Sequence, residues 1–194
     1  MAFQPRGLIR TPSKEELWKE TRDAVLDAKE TKTSEFWEDV LHDVFIRQDS
    51  GYYVNAQQPP KDGSSKYCDF IVSVKAAHNK KVRLIVVEAK RLRVSESVSR
   101  MQALETQLRE YCTAAAESSL IEYGQFVYGL AVVGTRGRLY TFDASGDLRH
   151  HSHQFEVGAG GNGDGYRDAE EDIWHEAFTE IKRFPPGGGY AIPY

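Results

Sequence analysis

The run Arg83-Leu84-Ile85-Val86-Val87-Glu88-Ala89-Lys90 holds four consecutive aliphatic residues and then an acid, a small residue and a base. A short continuous apolar run of this kind is expected of a strand buried on both faces, in the middle of a sheet. Strand side chains alternate, so Glu88 and Lys90 point to one side, roughly 6–7 Å apart along the strand. Two opposite charges at the end of a buried strand need partners or a purpose, because desolvating a charge is costly.

Outward from this run the chain alternates between the two periods. Upstream, Tyr67 to Val74 reads as a strand, with Asp69 at its beginning, and Tyr52 to Gln57 as a shorter one. Pro59-Pro60 and Asp62-Gly63 break the stretch between them. Further upstream, Phe36, Trp37, Val40, Leu41, Val44 and Phe45 form a stripe of helical spacing, so a helix is expected from Thr33 or Ser34. Another is expected from Ser13, as N-cap with Glu16 three residues on, to about Lys29. Downstream, Met101, Leu104, Leu108, Tyr111 and Ala115 mark a helix from about Ser95 to Ala116. Strands are then expected at Phe126–Gly134 and Arg138–Asp143, and a last amphipathic helix at Asp168–Arg183.

The order helix, three strands, helix, two strands, helix predicts an α/β fold, with a central mixed β-sheet flanked by helices. The 194 residues fit one domain overall, divided as an N-terminal arm and helix (1–33), a core (34–157) and a Gly-rich loop, C-terminal helix and tail (158–194).

Composition narrows the function classes. No apolar run approaches the roughly 18 residues that cross a bilayer, so no membrane partner is expected. Met1 to Arg10 holds no apolar segment of signal-peptide length, and Cys68 and Cys112 form no disulfide framework. An intracellular protein, not a secreted one, is the expectation. The net charge of −4 is unevenly spread. Ser13 to Ser50 holds 6 Lys and Arg against 11 Asp and Glu, whereas Lys66 to Glu110 holds 10 against 5. A basic centre suits phosphate. His150, His151 and His153 read as a solvated loop, since no Cys or further His completes a zinc set.

If the Asp69 strand pairs with the Glu88 strand, two carboxylates and an ammonium converge at one end of the sheet. Such hard oxygen ligands hold Mg²⁺ or Mn²⁺, and a neighbouring lysine serves an attacking water or the charge that develops on phosphorus.

Asp69 followed nineteen positions later by Glu88-Ala89-Lys90 resembles the D…ExK signature of the PD-(D/E)xK nuclease superfamily. Gln107-Leu108-Arg109-Glu110-Tyr111 resembles the QxxxY motif of its RecB-like members, and Phe36-Trp37-Glu38 the acidic position of their first core helix. The resemblance spans about Ser34 to Asp143, and Cys68 stands where the nominal motif has proline. It implies a restriction-endonuclease-like core and a metal-dependent nuclease, acting on DNA ahead of RNA. Asp69 and Glu88 would bind Mg²⁺ or Mn²⁺ with the Ala89 carbonyl, and Glu38 would complete the shell. Lys90 would serve the water, and Gln107 and Tyr111 would position the lysine, the water or the phosphate. Arg91, Arg93, Arg100 and Arg109 are expected to grip nucleic acid. Family members are often dimers, so a homodimer is one expectation. The alternative is a catalytically inactive binding or assembly module on the same scaffold.

Overall fold

The computed structural model describes residues 3–23, 30–46, 51–75, 81–90, 98–123, 126–143, 146–158 and 164–183. The elements in chain order are α1 (Pro12–Asp23), α2 (Glu30–Leu41) with a π-helical turn over His42–Ile46, β1 (Tyr52–Gln58), β2 (Cys68–Lys75) and β3 (Lys81–Lys90). Then come α3 (Val98–Tyr123), β4 (Phe126–Val133), β5 (Arg136–Asp143), β6 (Leu148–His150), β7 (Arg167–Asp168) and α4 (Ile173–Arg183). The fold is α/β, with one mixed sheet flanked by helices.

β3 lies in the interior of that sheet, whose order is β1-β2-β3-β4-β5-β6, with β7 added on β5. This position explains its aliphatic run: Leu84, Ile85, Val86 and Val87 are all fully buried. Among the described strands only β3 and β4 run parallel. A parallel pair needs a crossover, and α3 supplies it, packing back on β3, β4 and β5.

Alternation along the strands divides the core. Val87 and Ala89 of β3 and Leu130 and Val132 of β4 join the layer containing Trp18, Phe36, Trp37, Trp174 and Phe178. Val86 and Ala131 face the other way, against Leu104, Leu108 and Cys112 of α3. Edge-to-face aromatic pairs tighten the first layer, with Trp37 and Trp174 centroids 5.4 Å apart. In the second layer Gly129 lets α3 approach β4. A Cβ there would stand 3.0 Å from Cys112 Sγ and 3.2 Å from Leu108 Cδ2.

Some boundaries differ from the sequence expectations. The first helix starts at Pro12, because the Thr11 hydroxyl, not that of Ser13, accepts the N–H of Lys14 (3.3 Å) and Pro12 suits the first helical position. The last helix starts at Ile173, not Asp168. Arg167 and Asp168 are spent on pairing with Gly137 and Arg136 of β5, and the Asp168 carboxylate accepts from Trp18 Nε1 (2.7 Å) and Thr135 Oγ1 (2.6 Å). The arm before α1 is docked: Leu8 and Ile9 are buried, and Leu8 N donates to Ala169 O at 2.8 Å. The expected tail, 184–194, lies outside the described residues. No helix among the described residues is long and apolar enough to cross a membrane.

Candidate metal centre

β2 and β3 are antiparallel, with Ile71 opposite Val86 and Phe70 opposite Val87. One further step of the same register sets Asp69 opposite Glu88. Residues facing across neighbouring strands share a side, with Cβ atoms about 4.5–5.5 Å apart. Both carboxylates therefore project on the α3 side. Asp69 Oδ2 accepts the backbone N–H of Ala89 at 2.7 Å, which ties the two strand ends together at this level. Glu88 is 2% exposed, and its Oε1 accepts from Lys90 Nζ at 2.8 Å. The three sequence candidates thus meet on one face, with the Lys90 ammonium reaching from a half-exposed position toward a buried carboxylate.

The row extends in both directions. Glu88 is level with Ala131 of β4, and Ala131 with Arg138 of β5. On the other side, flanking pairs Ala56–Phe70 and Gln58–Cys68 set Gln57 opposite Asp69. Gln57 has φ +45°, a left-handed conformation that a residue with a Cβ adopts at a cost of order 1 kcal/mol or more.

Arg138 was not singled out from the sequence, yet it organises one side of the face. It is 4% exposed. Its Nε donates to Phe155 O (2.8 Å), one terminal nitrogen to Glu105 Oε1 of α3 (2.9 Å), and the other lies 3.2 Å from His150 Nε2. Tyr166 OH also donates to Glu105 Oε1 (3.3 Å). Gly165 passes so close that a Cβ would stand 2.5 Å from Phe155 O and 2.8 Å from Arg138 Nε, and its φ of +78° itself favours glycine. With its donors so engaged, Arg138 fixes α3 and the 164–166 segment over the sheet. His150 belongs to this packed region and His151 packs on Tyr128 and Phe155 of the other layer, which corrects the solvated-loop expectation; only His153 of the three is exposed. Burial, with the Arg138 guanidinium adding, holds His150 below the usual imidazole value. Burial lowers His151 too, against the opposing Glu180 carboxylate.

The α3 motif is formed as a unit. Gln107 Nε2 donates to Tyr111 OH at 2.9 Å, and Tyr111, 6% exposed, packs in the layer of Cys68 and Ile71. Cys68, at the nominal proline position, donates from Sγ to Gln58 O (3.2 Å). Burial, then the Glu88 carboxylate, pushes its thiol up to about 12. A thiol so held is no nucleophile.

α2 packs on the layer opposite α3, to which it contributes Phe36 and Trp37. Glu38 is half-buried, and none of the described hydrogen bonds or ion pairs joins it to Asp69, Glu88 or Lys90. Its neighbour Trp37 instead donates from Nε1 to Gly134 O (2.9 Å), and Gly134 N donates to Lys90 O (3.3 Å). The β4–β5 turn thereby holds the last residue of β3. Arg100 and Arg109 are exposed on α3, while Arg91 and Arg93 lie outside the described residues. Among the described residues no group of three or more His, Cys, Asp or Glu converges as a metal cluster.

No protein-family model matches this chain, and no curated protein or solved structure matches it.

Proposed function

We propose that the chain is a divalent-metal-dependent nuclease of the PD-(D/E)xK kind, with a restriction-endonuclease-like core, hydrolysing phosphodiester bonds of DNA ahead of RNA. The observation that carries this reading is the pairing of Asp69 across from Glu88, with Lys90 on the same side. Helix, three strands, helix and strand follow one another in the order the resemblance implies, and the parallel β3–β4 pair is bridged by the helix that bears Gln107 and Tyr111.

The donor chemistry fits Mg²⁺ or Mn²⁺. Two carboxylates facing each other repel unless cations lie beside them, and a divalent ion adds to the charge that Lys90 brings. Asp69 and Glu88 would hold the ion with the Ala89 carbonyl, and a set this small suits ions that keep several waters. When bound, the ion polarises the phosphate and lowers the pKa of a water. The chain's own groups do the rest. Lys90 Nζ orients the attacking water and offsets the negative charge that grows on phosphorus. The Ala89 N–H fixes the Asp69 carboxylate, so little reorganisation is needed. Gln107 and Tyr111, bonded to each other, position the substrate phosphate or the lysine.

The Glu88–Lys90 ion pair also suits a second reading, a non-catalytic module in which that pair is purely structural. Cleavage separates the two. Single- and double-stranded DNA and RNA are incubated with Mg²⁺ or Mn²⁺ and resolved on gels. Cutting that falls at least about a hundredfold in Glu88→Ala and Lys90→Ala supports the nuclease. No cutting of any substrate, or variants as active as wild type, ends that reading.

A further inference from the structure

The α3 side of the sheet holds a second feature. α3 covers β3, β4 and β5, whereas over β1 and β2 a cavity of about 260 Å³ is lined by Asn55, Gln58, Asp62, Ser73, Lys81 and Arg83, among others. Ile71, the next β2 residue after Asp69 on that face, also lines it. The cavity therefore begins roughly 7 Å along the strand from the candidate metal carboxylate. The loop after β1 borders it, and ion pairs Lys66–Glu110 (2.6 Å) and Lys61–Glu117 (3.1 Å) moor that loop to α3.

Its chemistry is that of a nucleotide. Lys81 and Arg83 supply cations, and Asn55, Gln58 and Ser73 supply donors and acceptors suited to a base edge or sugar. Tyr53, level with Ser73 on the same face, lies beneath the Lys81 ammonium, 4.1 Å from its ring centroid. This contact holds the Lys81 cation in place over the sheet. Arg83 is held by Asp62 at 2.7 Å, but that aspartate side chain is 95% exposed. Solvent reaches the aspartate side of this pair, so a phosphate can replace the carboxylate there. The volume falls just below the roughly 300–1,000 Å³ of small-molecule sites, the scale of one nucleotide.

We infer that this cavity is a subsite for one nucleotide of a single strand, seated beside the metal centre, with its phosphate on Lys81 and Arg83 and Asp62 as the counter-ion it displaces. The inference rests on the nuclease reading and names that site's substrate as single-stranded.

The test is fluorescence anisotropy with a labelled oligo-dT about a dozen nucleotides long. It uses the full chain in EDTA, over a salt series, beside a duplex of the same length. The Lys81→Gln, Arg83→Gln double variant is expected to bind at least about tenfold more weakly. Its salt slope should fall by about 0.7, for the one phosphate neutralised on a single strand. Asp62→Ala, at a solvent-exposed residue, is expected to bind about threefold or more tighter, which a merely structural role does not produce. Unchanged affinity and slope in the double variant, no gain in Asp62→Ala, or a duplex binding as tightly as the single strand overturns the inference. Mg²⁺-dependent cleavage, measured separately, keeps the two claims apart. Cutting with pocket-independent binding sinks the subsite alone, and pocket-dependent binding without cutting sinks the nuclease alone.

Discussion

Asp69 Oδ2 accepts the backbone N–H of Ala89 from across the strand pair, at 2.7 Å, so the carboxylate is aimed by the residue between Glu88 and Lys90. Asparagine keeps an acceptor for that N–H and loses the charge, and alanine loses both. Asp69→Asn is expected to melt within about 1 kcal/mol of wild type, and Asp69→Ala about 1–2 kcal/mol lower. Both are expected to lose at least about a hundredfold in cleavage. Urea melts and single-turnover cleavage check this; Asp69→Asn that cuts normally removes Asp69 from the chemistry.

Divalent ions are expected to stabilise the fold, because two facing carboxylates gain a shared partner. At a hundred times its Kd, an ion that binds only the folded chain adds about 2.7 kcal/mol. That amounts to a rise of roughly 5–10 °C in Tm for a chain of this size. Thermal melts with Mg²⁺, Mn²⁺ or EDTA should show the rise in wild type and none in Asp69→Ala. A rise of equal size in Asp69→Ala places the ion elsewhere.

Arg138 is predicted to matter for stability before activity. It is buried and bonded to Phe155 O, Glu105 and His150. Arg138→Met leaves these partners unsatisfied and is expected to cost about 3 kcal/mol. Arg138→Lys cannot reproduce the fork geometry and should recover only part of the loss. Denaturant titration reads both; a loss below about 1 kcal/mol contradicts the bonding described.

Stability should fall at both ends of the pH range. The partly buried His150 and His151 have lowered values. The unfolded chain therefore binds more protons as pH drops below the ordinary imidazole value of about 6.5, and stability is lost through the folded values below it. Burial raises Cys68, Cys112, Tyr128, Tyr140 and Tyr166. Their contribution is intact below the ordinary thiol and phenol values of about 8.5–10, and it is lost as pH rises beyond them. Chemical melts across pH should show a plateau between these limits. A curve still rising above about pH 10 contradicts the burial of these groups.

The central strands were legible because burial on both faces writes an unbroken aliphatic run, as at Leu84–Val87, and because parity alone places Glu88 and Lys90 on one side. Pairing with the Asp69 strand was a spatial wager that a register settles and a sequence does not. Arg138 was illegible for the same reason. Its partners Glu105, His150 and Phe155 come from three other elements, and no local pattern links them. Asp168 looked like a helix start, since acids favour that position. Its carboxylate is instead shared by Trp18 and Thr135. Beside the acid of Phe36-Trp37-Glu38 stands an indole whose N–H reaches the Gly134 carbonyl. Nothing in a residue's type tells whether its hydrogen bond runs to solvent or to a turn almost a hundred positions away.

The docking of Leu8 and Ile9 beside Ala169 has a consequence for how the chain is made. During synthesis the arm leaves the ribosome well before its seat, because Ala169 follows Ile9 by 160 positions. Two apolar residues must wait, exposed, until the Ala169 segment has emerged. A nascent chain stalled before residue 169 is expected to recruit chaperones or aggregate, and one released just beyond α4 to close unaided.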